Sequence, residues 1–126
     1  MGVSSKRGTL HQLIAKEREH TAQVLAYVAE VDRRQLHKKL GYPTMVDFCI
    51  EKLGMDEAEA TERVEVARAA LAFPTLFEAI ADGRLHLAAV RLLAPHLTAA
   101  NVHELVAAMT HRPESEISAM LTEWFG

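Results

Sequence analysis

The sequence predicts an all-α fold of about seven helices, a long N-terminal helix packed on a bundle that contains a helix-turn-helix. Three observations predict it. Apolar residues recur at intervals of three and four in every periodic segment, the spacing of one helical face. No apolar–polar alternation of period two runs long enough to suggest a strand. Glycines and prolines stand between the periodic segments, at Gly41, Pro43, Gly54, Pro74, Gly83, Pro95 and Pro113, and so read as punctuation.

The first helix is the longest. From Thr9 to about Leu40 there is no Gly or Pro, and Leu10, Leu13, Ile14, Val24, Leu25, Val28, Val31 and Leu36 form one apolar stripe. A helix of about 30 residues is roughly 45 Å long, longer than a compact domain of this size is wide. Either part of the stripe meets a second chain, or a kink near the middle folds both halves onto the core. The spacing favours neither. Residues 1–8 are expected to form a flexible tail, and residues 9–126 a single helical domain.

Pro43 disfavours helix at Tyr42 and suits the first turn of the next element. A short helix from about Thr44 to Leu53 buries some combination of Val46, Phe48, Cys49, Ile50 and Leu53, and Gly54 stops it as a C′ glycine. Asp56 starts another helix, with Glu59 three residues on in a capping-box-like pair. Its stripe is Ala60, Val64, Ala67 and Leu71, and Glu59 and Arg63 make a favourable i, i+4 pair.

Pro74 opens a helix to about Asp82 that uses Leu76, Phe77 and Ile80, and Gly83 closes it. Leu85 to Leu93 makes another, limited by Pro95. Thr98 caps a helix to about Met109, with Val102, Leu105, Val106 and Met109 inward. The last helix follows Pro113 and carries Ile117, Met120, Leu121, Trp124 and Phe125. The chain stops on that apolar cluster, as a piece of a longer protein would.

Composition narrows the function classes. At 49% hydrophobic residues the chain is too apolar to be disordered. The single Cys49 excludes an internal disulfide. No apolar run approaches the roughly 20 residues of a membrane span, and the first residues lack the apolar core of a signal peptide. A soluble, cytoplasmic protein is expected. The net charge of −3 is unevenly spread. Residues 1–42 carry +4, from eight bases and four acids, whereas residues 56–82 carry −5, from Arg63 and Arg68 against seven acids. The basic end comes first.

Catalytic chemistry finds no foothold. His103-Glu104 begins like a zinc-protease helix, but Ala107 stands where the second His ligand belongs. His86, His96 and His103 fall on three different elements, and one Cys cannot make a Cys-pair zinc site. There is no Gly-rich phosphate loop, and Cys49 in an apolar stripe reads as a small hydrophobe. No catalytic residue, metal, cofactor or small-molecule substrate is expected in this chain.

Residues 46–67 read as helix, tight Gly54 turn and second helix, the geometry of a helix-turn-helix. The outward face of that second helix should hold Glu57, Thr61, Glu62, Glu65 and Arg68, and its three carboxylates repel phosphate. It therefore reads chiefly as a packing unit. The better phosphate candidate is the basic group Arg33, Arg34, His37, Lys38 and Lys39, which at a helix C-terminus also complements the macrodipole. With the two basic residues of the following acidic segment, the expected nucleic-acid contacts are Arg33, Arg34, Lys38, Lys39, Arg63 and Arg68.

Several short motifs in order carry a family resemblance. An AEVDRR helix end is followed by GY and an aromatic helix, an LG turn, an Ala-Arg-rich helix and an FP break, then ADGRLHL and LAPHLT. This run resembles the helical N-terminal region of bacterial HNH-endonuclease-like proteins, over about residues 9–125. Residues 53–93 more weakly resemble the helix-turn-helix region of ParB-type partition proteins. The HNH motif of such endonucleases lies further toward the C-terminus, in a His-containing hairpin and helix that this chain lacks. What the resemblance implies is thus a non-catalytic accessory domain that binds DNA or positions a nuclease on it. The alternative is a protein-interaction or homodimerisation module with no nucleic-acid binding. The over-long apolar stripe and the net negative charge favour that alternative.

Overall fold

The computed structural model describes residues 3–126, with side chains from Thr9 onward. Among them are eight α-helices and no strand: α1 (Val3–Arg34), α2 (Leu36–Lys39), α3 (Met45–Glu51), α4 (Glu57–Ala72), α5 (Thr75–Ala81), α6 (Leu87–Leu93), α7 (Val102–Met109) and α8 (Glu114–Phe125). A 3₁₀ turn, Ala94–His96, extends α6. The all-α expectation holds, with one more helix than about seven.

The extra helix comes from a break in the first one. Gln35 takes a left-handed φ of 55° and its side-chain amide donates to the Asp32 carbonyl at 2.6 Å. This ends α1 at Arg34 and leaves α2 as a separate single turn, where an unbroken helix to about Leu40 was expected. At the other end the helical backbone begins at Val3, and the tail expected over 1–8 falls on residues whose side chains lie outside the described set.

No kink divides α1. Its 32 residues make a rod of about 48 Å. Ala22, Leu25, Val28, Ala29 and Val31 enter the core, whereas Leu10, Leu13 and Ile14 are 57%, 55% and 39% exposed. The predicted stripe is thus one continuous line of which half is buried.

The centre of the fold is α4, which packs against α1, α3, α5 and α6. Ala60, Val64, Val66, Ala67 and Ala70 are all buried, so its buried surface is wider than the single stripe predicted. Leu71, expected inward, is instead 38% exposed, because Val66 and Ala70 turn inward beside the predicted stripe.

Helix starts follow local chemistry. Thr44 Oγ1 accepts from the Asp47 N–H at 3.0 Å, and Asp56 Oδ1 from the Glu59 N–H at 2.8 Å, each satisfying an otherwise orphaned donor. At α6 the cap is His86, whose Nδ1 accepts from the Ala89 N–H at 3.1 Å. The helix therefore begins two residues later than predicted, and Leu85 becomes a buried turn residue. Thr98 does not cap α7. It exchanges hydrogen bonds with Asn101 (2.7 and 3.1 Å), holding a turn before Val102.

Phe48 is a principal core residue, 1% exposed and edge-on to Tyr42 with ring centroids 5.5 Å apart. Its neighbour Cys49 is fully buried, and that burial, aided by the Asp32 charge, pushes the thiol up, so it stays a neutral, apolar group. No helix among the described residues is long and apolar enough to cross a membrane. Phe48→Ala should lower the unfolding free energy by about 3–5 kcal/mol, seen as a lower urea midpoint at unchanged slope.

Candidate nucleic-acid interface

The break at Gln35 divides the predicted basic group between two helix ends. Arg33 and Arg34 end α1, and Lys38 and Lys39 end α2 on the far side of the reversal. Both arginines reach the same carboxylate. Glu30 takes Arg33 Nε at 3.1 Å and Arg34 Nε at 2.7 Å. The hydrogen bond from Arg33, and then its charge and that of Arg34, hold the Glu30 carboxyl below the ordinary carboxylate range. Lys38 and Lys39 are exposed and have no ion-pair partner among the described residues. Glu30 thus pairs two of the four cations, and Asp32, the other acid of this end of α1, is taken by Arg68. His37 does not join them: it is 3% exposed, and its Nδ1 lacks a hydrogen-bond partner.

Arg68 belongs to the same surface but is already engaged. Its guanidinium forks onto Asp32 at 2.8 and 3.3 Å, tying α4 to α1. That hydrogen bond raises the Arg68 pKa. Lys38 and Arg68 line one small cavity of about 300 Å³ together with Asp32, so two of the six predicted residues meet there, while Arg33, Arg34 and Lys39 lie near it in the chain but outside its lining.

The sixth, Arg63, is elsewhere. It bonds Glu59 and Glu62 along α4 and lines a larger cleft of about 660 Å³ between α1, the α5–α6 turn and the α7–α8 turn. Arg18, Arg84, Arg112, His86 and His111 line it too, against one carboxylate, Glu17. These five cation-capable residues were not anticipated. They come from three distant segments, around Arg18, Arg84–His86 and His111–Arg112, and only the fold gathers them.

Two unusual backbone positions shape this cleft. Gly83 has φ +83°, and the Arg18 guanidinium lies against it, its Cζ 2.7 Å from where a Cβ would stand. A side chain there meets both a left-handed backbone and the arginine. His111 has φ 60°, uncommon outside glycine, and its N–H donates to the Arg84 carbonyl at 2.9 Å, joining the two turns. The signal available in sequence was slight: a Gly83-Arg84 pair and a His111-Arg112-Pro113 turn.

The helix-turn-helix unit is α3, the Gly54 turn and α4. Enclosure by four helices leaves α4 a narrow outward strip. Glu57, Glu65 and Arg68 are exposed, but Thr61 and Glu62 are half-buried. Its acids are also tied to neighbours, since Arg91 of α6 reaches Glu65 at 2.8 Å and Glu62 at 3.8 Å. Among the described residues no group of three or more His, Cys, Asp or Glu is placed to hold a metal.

The chain is an all-α domain with two surfaces lined by basic side chains. No protein-family model, curated protein or solved structure matches the chain.

Arg68→Ala leaves the carboxylate of Asp32, 12% exposed, without its partner. Because the arginine itself is more than half exposed, the expected cost is about 1 kcal/mol. A double-mutant cycle with Asp32→Ala should show coupling between the two sites.

Proposed function

We propose that this domain binds nucleic acid by phosphate contact at the C-terminal end of α1, as a non-catalytic accessory domain that positions a nuclease on DNA. The observation that carries this reading is the charge imbalance there: Arg33, Arg34, Lys38, Lys39 and Arg68 set against two carboxylates, Glu30 and Asp32. Each guanidinium has five N–H donors, so a shared carboxylate leaves several for phosphate oxygens. Arg68 contributes charge but is held by Asp32, which makes it a secondary contact, whereas Arg63 lies in the other cleft and takes no part. The resemblance to the N-terminal region of HNH-endonuclease-like proteins supports the same role. Because the outward strip of α4 is largely acidic, the contact is with the backbone and depends weakly on sequence.

Duplex DNA binding at low salt should weaken in Arg33→Ala/Arg34→Ala, with the slope of log affinity against log salt falling by about 2. Glu30→Gln should act in the opposite direction and tighten binding, because it releases both arginines. No binding by the parent protein at micromolar concentration in a gel shift sinks the proposal.

A second reading is favoured by the exposed half of α1. Leu10, Leu13 and Ile14 continue the line of the buried stripe, an arrangement suited to pairing with another helix in a homodimer. Light scattering should then report a dimer that Leu10→Glu/Leu13→Glu converts to monomer. A strict monomer at high concentration removes this reading.

A further inference from the structure

We infer that the cleft between α1, the α5–α6 turn and the α7–α8 turn is a binding site for a nucleotide-sized phosphate monoester. The inference goes beyond the DNA reading and does not rest on it. Arg18 and Arg33 are 15 residues apart on one unbroken helix, about 22 Å along its axis, so the two cationic surfaces are separate.

The cleft has two kinds of wall. Arg18, Arg84 and Arg112 come from three distant segments, and Arg63 of α4 lines the same space. Their ion pairs leave donors over. Arg84 meets Asp82 through Nε alone, at 2.9 and 3.0 Å, so both of its terminal nitrogens remain. Arg112 uses Nε on the Ala108 carbonyl and Nη1 on Glu116, which leaves Nη2. Arg18 has no ion pair among the described residues and lies over Gly83, where the absence of a Cβ gives it room. His86 spends Nδ1 as the acceptor of its helix cap, so Nε2 carries the proton and serves as a donor. His111 stands on a backbone conformation that costs energy for any residue but glycine.

The remaining wall is apolar. Ile14, Ile80, Leu85, Leu87 and Pro113 line the same space. A bare anion would use only the arginines. A phosphate joined to a flat apolar group uses both walls, and the volume of about 660 Å³ lies in the range of small-molecule sites. Planar guanidinium forks match phosphate oxygens in pairs, and a monoester offers three such oxygens at a double negative charge. That chemistry belongs equally to a free mononucleotide and to the 5′-phosphorylated end of a strand.

Calorimetry on the whole chain tests this with deoxyadenosine 5′-monophosphate and with deoxyadenosine. The monophosphate should bind at least about tenfold more tightly than the nucleoside. Arg18→Gln/Arg84→Gln should lower its affinity about tenfold or more, about 1.4 kcal/mol. Arg33→Ala/Arg34→Ala should leave it unchanged. His111→Gly relieves the left-handed backbone and keeps the N–H bond to Arg84. It should therefore retain the thermal midpoint yet lose affinity several-fold, which a purely structural histidine would not do. A short single strand with and without a 5′-phosphate separates the two sources. Preference for the phosphorylated strand over the monophosphate assigns a strand end, and the reverse assigns the free nucleotide. Equal binding of nucleoside and monophosphate, or unchanged monophosphate affinity in Arg18→Gln/Arg84→Gln, overturns the site. Loss of duplex binding in Arg33→Ala/Arg34→Ala bears on the DNA reading alone.

Discussion

Close packing around α4 is the constraint on which the rest of the domain depends. Ala60, Ala67 and Ala70 are buried at contacts with the surrounding helices, and helix axes approach to the short end of the usual 8–10 Å when such side chains meet. Alanine is also the residue with the highest helix propensity, so the segment is stable as a helix while presenting little bulk. Four neighbours can therefore share one helix. A larger side chain at any of these buried positions would have to displace its neighbours, and a core of this density absorbs that poorly.

The same enclosure organises the charges. With α4 surrounded, its carboxylates lie within reach of bases on other elements, and Glu62 and Glu65 meet Arg91 across the α4–α6 contact. The acidic middle of the chain is thus largely an internal partner set. Bases that find fewer partners gather at two places flanking the buried stretch of α1, the end near Arg33 and the cleft near Arg18. A chain of mild net charge can in this way present two positive surfaces, because the negative charge is bound up between them.

Helix existence and type were legible in the sequence because apolar spacing and Gly or Pro punctuation agreed at every element except α2. Caps at Thr44 and Asp56 were readable from residue type alone. The His86 cap was not, since histidine is an uncommon N-cap, and the α6 boundary slipped by two residues. Gln35 escaped notice for a related reason: a left-handed glutamine leaves no compositional trace, and only its bond to Asp32 reveals the break. Periodicity also could not say which half of the α1 stripe is covered, because that depends on where α4 and α5 end. Of the interface, the local Arg33–Lys39 cluster was visible as a run. The cleft was not, because Arg18, Arg84 and Arg112 become neighbours through tertiary structure alone.

The unbroken course of α1 has a mechanical consequence. From Thr9 to Arg34 it contains neither Gly nor Pro, and its inner half is anchored by Leu25, Val28 and Val31 in the core. Such a rod resists bending, since each turn is held by its own hydrogen bonds. A load applied near Leu10 reaches Leu25, about 22 Å away, as a torque on the packed helices rather than being dissipated at a hinge. Whatever holds the outer half of α1 therefore sets the orientation of the whole domain.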